Sequence, residues 1–149
     1  MRLVDLVLIG LGGFAGAIVR HGISDALKKV DTNDFTLGVF ISNVAGCLIA
    51  GILIPFGDLK KFNTFAMPLL SLGFCGAFTT FSSYALGVIE RFEVADRAVM
   101  GVVILIATII SCFLFVFIGY FLSARFIRPI FDEKENDRQI HQQPRTETV

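Results

Sequence analysis

Of the 149 residues, 54% are hydrophobic and 17% charged, with 14 glycines and 16 phenylalanines; that balance excludes an ordinary soluble domain and makes lipid the solvent for most of a single-domain chain. Thirteen Lys plus Arg offset thirteen Asp plus Glu, so no excess positive charge is available to bind nucleic acid. Cys47, Cys75 and Cys112 are odd in number and each stands in an apolar run, which reads as small packing residues rather than a secreted disulfide framework.

In chain order, the first uncharged run is Leu6 to Val19, 14 residues. Adding Leu3 and Val4, with Asp5 tolerated at the interface, brings it to a marginal spanning length. It ends in Arg20-His21 rather than a small-residue cleavage site, so it reads as a first span and not a secretory leader. Phe35 to Gly57 is 23 residues without a charge, Phe62 to Ile89 is 28 and Ala98 to Ala124 is 27; each exceeds the roughly 20 that a helix needs to cross the hydrocarbon. The connecting segments, Arg20 to Asp34, Asp58 to Lys61 and Glu90 to Arg97, carry nearly all the charge found before Arg125, and HGISDALKK in the first of them reads as a short surface helix. Residues 1–128 therefore form an all-α, four-span membrane domain. Pro129 to Val149, which includes His141, is a polar tail too poor in apolar residues to offset its ordering entropy.

Four spans bring both termini to one side. Arg2, Lys60, Lys61, Arg125 and Arg128 lie on that side, and Arg20, Lys28, Lys29, Arg91 and Arg97 on the other, five against five. Orientation follows Lys/Arg asymmetry near span ends, and here only the tail's Lys134 and Arg138 add a slight bias. The chain is thus free to insert both ways and to form an antiparallel dimer, giving between two chains the inverted symmetry that larger transporters build within one.

With Asp5 and Arg20 at the interfaces, the spans hold no Asp, Glu, Lys, Arg or His. A hydrolase would need a nucleophile with its base and a metal enzyme clustered ligands, so enzyme chemistry is excluded on residue type. A small multidrug antiporter, also a four-span chain, needs an intramembrane carboxylate. The polar content is neutral: Ser42-Asn43 in the second span, Thr79-Thr80 and Ser82-Ser83 beside Phe78, Phe81 and Tyr84 in the third, Thr108 and Ser111 in the fourth. Asn43 is either interhelical glue or a donor facing an anion path, and spacing leaves both open. In LSLGFCGAFTTFSSYALG, Gly73 and Gly76 precede β-branched residues and serines, poor helix chemistry that predicts a break at mid-membrane. Freed carbonyls there would suit a hard cation such as Na+. Phenyl rings present positive edges, which can hold a desolvated anion without a full charge.

At these residues the sequence resembles the Fluc (CrcB-type) fluoride channels. GGFAGAIVR (Gly12 to Arg20) is similar to that family's GGxxGAxxR, GVFISNVAGCLIAG (Gly38 to Gly51) to its GTxxxNxxGSFxxG, and GFCGAFTTFSSY (Gly73 to Tyr84) to its GFxGGxTTFSTF. The likeness covers about residues 3 to 124, and the third block is its most specific part. It implies a multi-pass protein of the cell membrane, a dual-topology antiparallel homodimer with two pores, passive export of fluoride, and a central structural Na+ held by the carbonyls of Gly76 and Thr79. It further implies pore roles for Asn43, Phe81, Tyr84, Ser82 and Ser83, a fourth-span track through Thr108 and Ser111, and an anion-attracting vestibule at Arg20. Departures are Tyr84 for Phe, Val39 for Thr, Cys47 for Ser, Ala77 for Gly and Gly87 for Glu; a small offset in the fourth span would bring Cys112 onto the track. Pairing with a second homologous chain, a multidrug-type antiporter and a non-conducting tetraspan protein are the alternatives.

Overall fold

The computed structural model describes residues 2–28, 36–57, 62–92 and 98–130. Four helical runs in it are long and apolar enough to cross a membrane: Leu3–Leu27, Leu37–Phe56, Thr64–Gly87 and Gly101–Ile130. The elements are α1 (Leu3–Lys28), α2 (Thr36–Leu53, ending in a 3-10 turn Ile54–Phe56), α3 (π-wound over Phe62–Cys75 and α-helical over Gly76–Phe78), α4 (Ser82–Phe92) and α5 (Ala98–Leu122, continuing π-wound through Ser123–Ile127). All are helical, as they must be where no water is present to satisfy a backbone edge. Residues 131–149 of the expected polar tail, His141 among them, lie outside the described residues, as do Lys60, Lys61 and Arg97 of the connecting segments.

The first helix corrects the sequence reading. HGISDALKK is no separate surface helix; it continues α1 without interruption to Lys28. The segment has no proline or glycine pair to stop it, and His21 Nε2 lies 3.3 Å from Asp25 Oδ2 one turn on, a spacing that supports a helix. Asp5 sits in the first turn of α1, where the Arg2 backbone N–H donates to it at 2.9 Å and the Arg2 guanidinium pairs with it at 3.1 Å, so the acid is neutralised and favourably placed at a helix N-terminus. Pro68 lies inside α3. Its missing N–H and its ring disturb the i→i−4 ladder, and the wider π-winding accommodates both.

The helices associate in two pairs, α1 along α3 and α2 along α5, with α4 against α5. Glycine makes these approaches possible. A Cβ on Gly12 would strike the Leu69 carbonyl and one on Gly16 the Phe74 carbonyl, while a Cβ on Gly51 or Gly119 would meet the backbone of the α2–α5 partner. Small-residue contacts of this kind are how helices bind in lipid, where no hydrophobic drive operates between them. Outward lie Leu3, Leu11, Phe14 and Ile18 on α1 and Ile110, Phe113, Phe117 and Phe121 on α5, all exposed. A surface this apolar has lipid or protein as its solvent.

Candidate functional site: an interrupted helix beside a pocket

The helix of the third span stops at Thr79, whose φ of −84° and ψ of 147° are extended, and resumes at Ser82. Ordinarily the last carbonyls of one helix and the first amides of the next are left without partners. Here several of them are met by named groups. The Thr79 N–H and hydroxyl both donate to the Cys75 carbonyl, at 3.0 and 2.9 Å. Arg20 Nε donates to the Ala77 carbonyl at 3.2 Å and Arg20 Nη1 to Ser83 Oγ at 3.4 Å, a cation at a helix C-terminus. Asn43 clamps Thr80 from both sides: its Oδ1 accepts the Thr80 N–H at 2.7 Å and its Nδ2 donates to the Thr80 carbonyl at 3.1 Å. Thr80 Oγ1 in turn accepts the Ser83 N–H at 3.3 Å, which is the geometry of an N-cap for α4, and it lies 3.2 Å from both Ser82 Oγ and Ser83 Oγ.

Two of these bonds redirect helix donors. In an unbroken helix the Thr80 N–H would close on the Gly76 carbonyl and the Ser83 N–H on the Thr79 carbonyl, four residues back. The first goes to Asn43 and the second to Thr80 Oγ1. Gly76 and Thr79, the residues chosen from the resemblance as carbonyl ligands, are thus two of the carbonyls at the interruption whose regular helix donors are engaged elsewhere. Gly76 is exposed, and a Cβ built on it would meet nothing within 4 Å.

Beside the interruption is a pocket of about 300 Å³. Asn43 and Cys47 line it from α2, Thr79 to Phe81 and Tyr84 from the interruption and α4, and Thr108, Cys112 and Phe113 from α5. Both turn-spaced pairs, Asn43 with Cys47 and Thr108 with Cys112, obey the i, i+4 rule for one helix face. Asn43 is 7% exposed, Tyr84 3% and Thr108 4%, whereas Phe81 is 71% exposed. The Thr108 hydroxyl hydrogen is shared between Tyr84 Oη at 3.2 Å and the Ile104 carbonyl at 2.9 Å. Thr80 takes one of the two hydrogens on Asn43 Nδ2, and the second is a further donor beside the pocket.

The expected site residues are thus brought together only in part. Asn43, Thr79, Phe81, Tyr84 and Thr108 share the pocket wall. Ser82 and Ser83 are not among the lining residues; they meet Thr80, and Ser83 also meets Arg20. Arg20 reaches into the interruption instead of ending the first helix. Ser111 does not line the pocket, and Cys112, one residue on, does. Phe78 is buried at 4% exposure and stacks on Phe74 with centroids 5.3 Å apart, packed over Gly46. Sequence reading missed Thr80, the hub of the network, because two adjacent threonines carry the same signal. Phe113 reads as apolar filler until α5 is docked on α2, and Cys112, reached in the sequence by a small offset of the fourth-span track, lines the pocket.

Comparison with known proteins identifies the family. Residues 7–120 match the family described as CrcB-like protein, Camphor Resistance (CrcB). A fluoride-specific ion channel FluC from Ruminiclostridium cellulolyticum is 34% identical over 127 residues, covering 82% of this chain and 94% of the relative. A second of that name from Dehalococcoides mccartyi is 32% identical, covering 80% and 92%, and fluoride-specific ion channel FluC 2 from Bacillus cereus is 36% identical, covering 78% and 95%.

Proposed function

Because the chain belongs to the CrcB family, we propose that it is a fluoride-selective channel through which the anion leaves the cytoplasm passively. Hydrogen fluoride crosses a bilayer as a neutral molecule and ionises near neutral pH, which traps the anion inside. An inside-negative potential then expels it at about 2.3 kcal/mol per charge per 100 mV, so a selective pore suffices and no coupled proton or nucleotide is required.

The observation that carries the reading is the interrupted third span clamped by Asn43 at the wall of a pocket that offers neutral donors and aromatic rings. The uncommitted Asn43 N–H replaces water on one side of the ion, and the ring edges of Phe81 and Tyr84 supply weak positive potential. A full charge at that depth would bind fluoride too tightly for release. Thr108 fixes the Tyr84 hydroxyl and so sets the ring. Arg20, bonded to Ala77 and Ser83, contributes positive potential to the path while holding the interruption open.

The reading extends to an antiparallel dimer with one Na+ at its centre. Gly76 and Thr79 fit such an ion: their helix donors are redirected, and Gly76 is uncovered within the protomer, so two copies can approach there. Na+ would supply the positive charge that balances the facing carbonyl dipoles. The decisive experiment is efflux from liposomes holding the purified protein, followed with fluoride and chloride electrodes. Fluoride efflux with chloride retained is expected. Equal efflux of both, efflux of neither, or efflux that requires an imposed pH gradient would overturn the channel reading.

A further inference from the structure

The outward face of α5 ends in a cation that the proposed conduction does not use. Apolar side chains on that face form a groove of about 520 Å³, walled by Leu114, Phe117, Ile118 and Phe121 and closed at its far end by Arg125 and Phe126. All six are exposed. Leu114, Phe117, Ile118, Phe121 and Arg125 recur at three- and four-residue spacing, which places them on one side of the helix. The other side packs on α2, where Gly119 meets Leu48 and Ile52 and the buried Ser123 hydroxyl donates to the Ile52 carbonyl at 2.7 Å. That bond anchors the π-wound end of α5, so the fold itself holds Arg125 outward. The Arg125 guanidinium has no hydrogen bond or ion pair among the described residues.

We propose that this groove seats an acyl chain of a phospholipid with a net negative headgroup, whose phosphate pairs with Arg125. The dimensions match one leaflet. Leu114 and Phe126 stand about 18 Å apart along the axis at 1.5 Å per residue, and half of a ~30 Å hydrocarbon core is about 15 Å. A chain that fills the groove therefore brings its phosphate to the level of the cation. The planar guanidinium fits phosphate through two parallel N–H bonds, and Arg128, three residues on, adds positive charge to the same end of the helix. A zwitterionic headgroup carries its own ammonium, which competes for the phosphate and is repelled by both arginines; each basic residue near the surface favours anionic lipid by about fivefold. A second copy of the chain fits this face less well. The sequence holds no Asp or Glu from Ala98 to Ile130, so a two-fold contact centred on the groove would bury the guanidinium against apolar side chains with no carboxylate to meet it, which is strongly unfavourable. The site lies on the far side of α5 from α2 and is independent of the channel reading.

The test adds dioleoyl phosphatidylglycerol or dioleoyl phosphatidylcholine to the full chain purified in detergent. Native mass spectrometry counts the lipids retained per chain, and thermal unfolding reports whether they stabilise it. One phosphatidylglycerol per chain is expected, held about fivefold or more tightly than phosphatidylcholine, with a higher unfolding temperature. Arg125→Gln should abolish the preference between headgroups. Ile118→Trp, which fills the groove and leaves the cation in place, should weaken retention of both lipids, and glycerol 3-phosphate, the headgroup without chains, should not compete. Equal retention of the two lipids by the unaltered chain, a preference that survives Arg125→Gln, or retention unchanged by Ile118→Trp would overturn the proposal. Competition by glycerol 3-phosphate would reduce the site to a bare cation and overturn it too. Loss of dimer mass in Ile118→Trp with lipid retention intact would give the face to a second copy instead.

Discussion

Asn43 gives both ends of one amide to a single backbone unit, accepting from the Thr80 N–H and donating to the Thr80 carbonyl. Asn43→Ala strands both backbone groups at a site 7% exposed, and a buried unsatisfied group costs about 1–3 kcal/mol. The variant should therefore unfold at lower temperature in detergent and lose fluoride efflux; unchanged stability with unchanged efflux would show that the clamp serves neither. Tyr84→Phe is the opposite case. It removes one hydrogen-bond partner from Thr108, which keeps the Ile104 carbonyl at 2.9 Å, so the stability loss should stay near 1 kcal/mol and the ring edge survives. Efflux should persist, and its collapse would assign the Tyr84 hydroxyl, rather than the ring, to the ion. Sequence alone named both residues, because an amide and a phenol in an apolar run stand out. It did not assign Thr80, since only the docked helices show which of two threonines caps α4.

Each helical pair depends on positions where a side chain has no room. A Cβ on Gly16 would meet the Phe74 carbonyl, with the Phe74 carbonyl carbon and Phe78 nitrogen at 3.1 Å. Gly16→Val should separate α1 from α3, and overpacking costs about 1–3 kcal/mol even where flexible side chains can yield; the rigid backbone here puts the cost at the upper end. Since Arg20 on α1 reaches the interruption through Ala77 and Ser83, efflux should fall with thermal stability, and a stable variant with full efflux would show that the α1–α3 approach does not hold the site. The four spans were legible because uncharged runs are long and their flanks charged. The end of α1 was not: charge at Arg20 marks an interface by the membrane rule, yet helix propensity carries the backbone on to Lys28. The fourth-span register was not legible either. Thr108 and Ser111 look equivalent in sequence, and docking α5 on α2 turns Thr108 and Cys112 to the pocket instead.

At the scale of the molecule, the exposed apolar faces and the uncovered Gly76 are the surfaces that the proposed dimer would use, and the proposed Na+ gives the first check. Replacing Na+ with a bulky organic cation should lower both the dimer's thermal stability and its efflux, and Na+ should restore them; indifference of both would remove the ion. The second check concerns orientation. The count of five basic residues on each side, with a slight bias from Lys134 and Arg138 of the tail, predicts insertion both ways, and shifting that balance should create a preference. Lys60→Gln with Lys61→Gln lowers the terminal side from five to three, so these chains should all insert with their termini outside. Lys28→Gln with Lys29→Gln lowers the other side equally and should reverse them. Either variant alone then offers only parallel neighbours, and an antiparallel pore cannot assemble. Both should show one topology by accessibility of a terminal tag and lose most of their efflux. Expressed together they supply both orientations, and efflux should return. That recovery distinguishes lost pairing from lost folding, because mixing two misfolded chains repairs neither. Full efflux from one variant held in a single topology would overturn the antiparallel arrangement, whatever the pore residues prove to be.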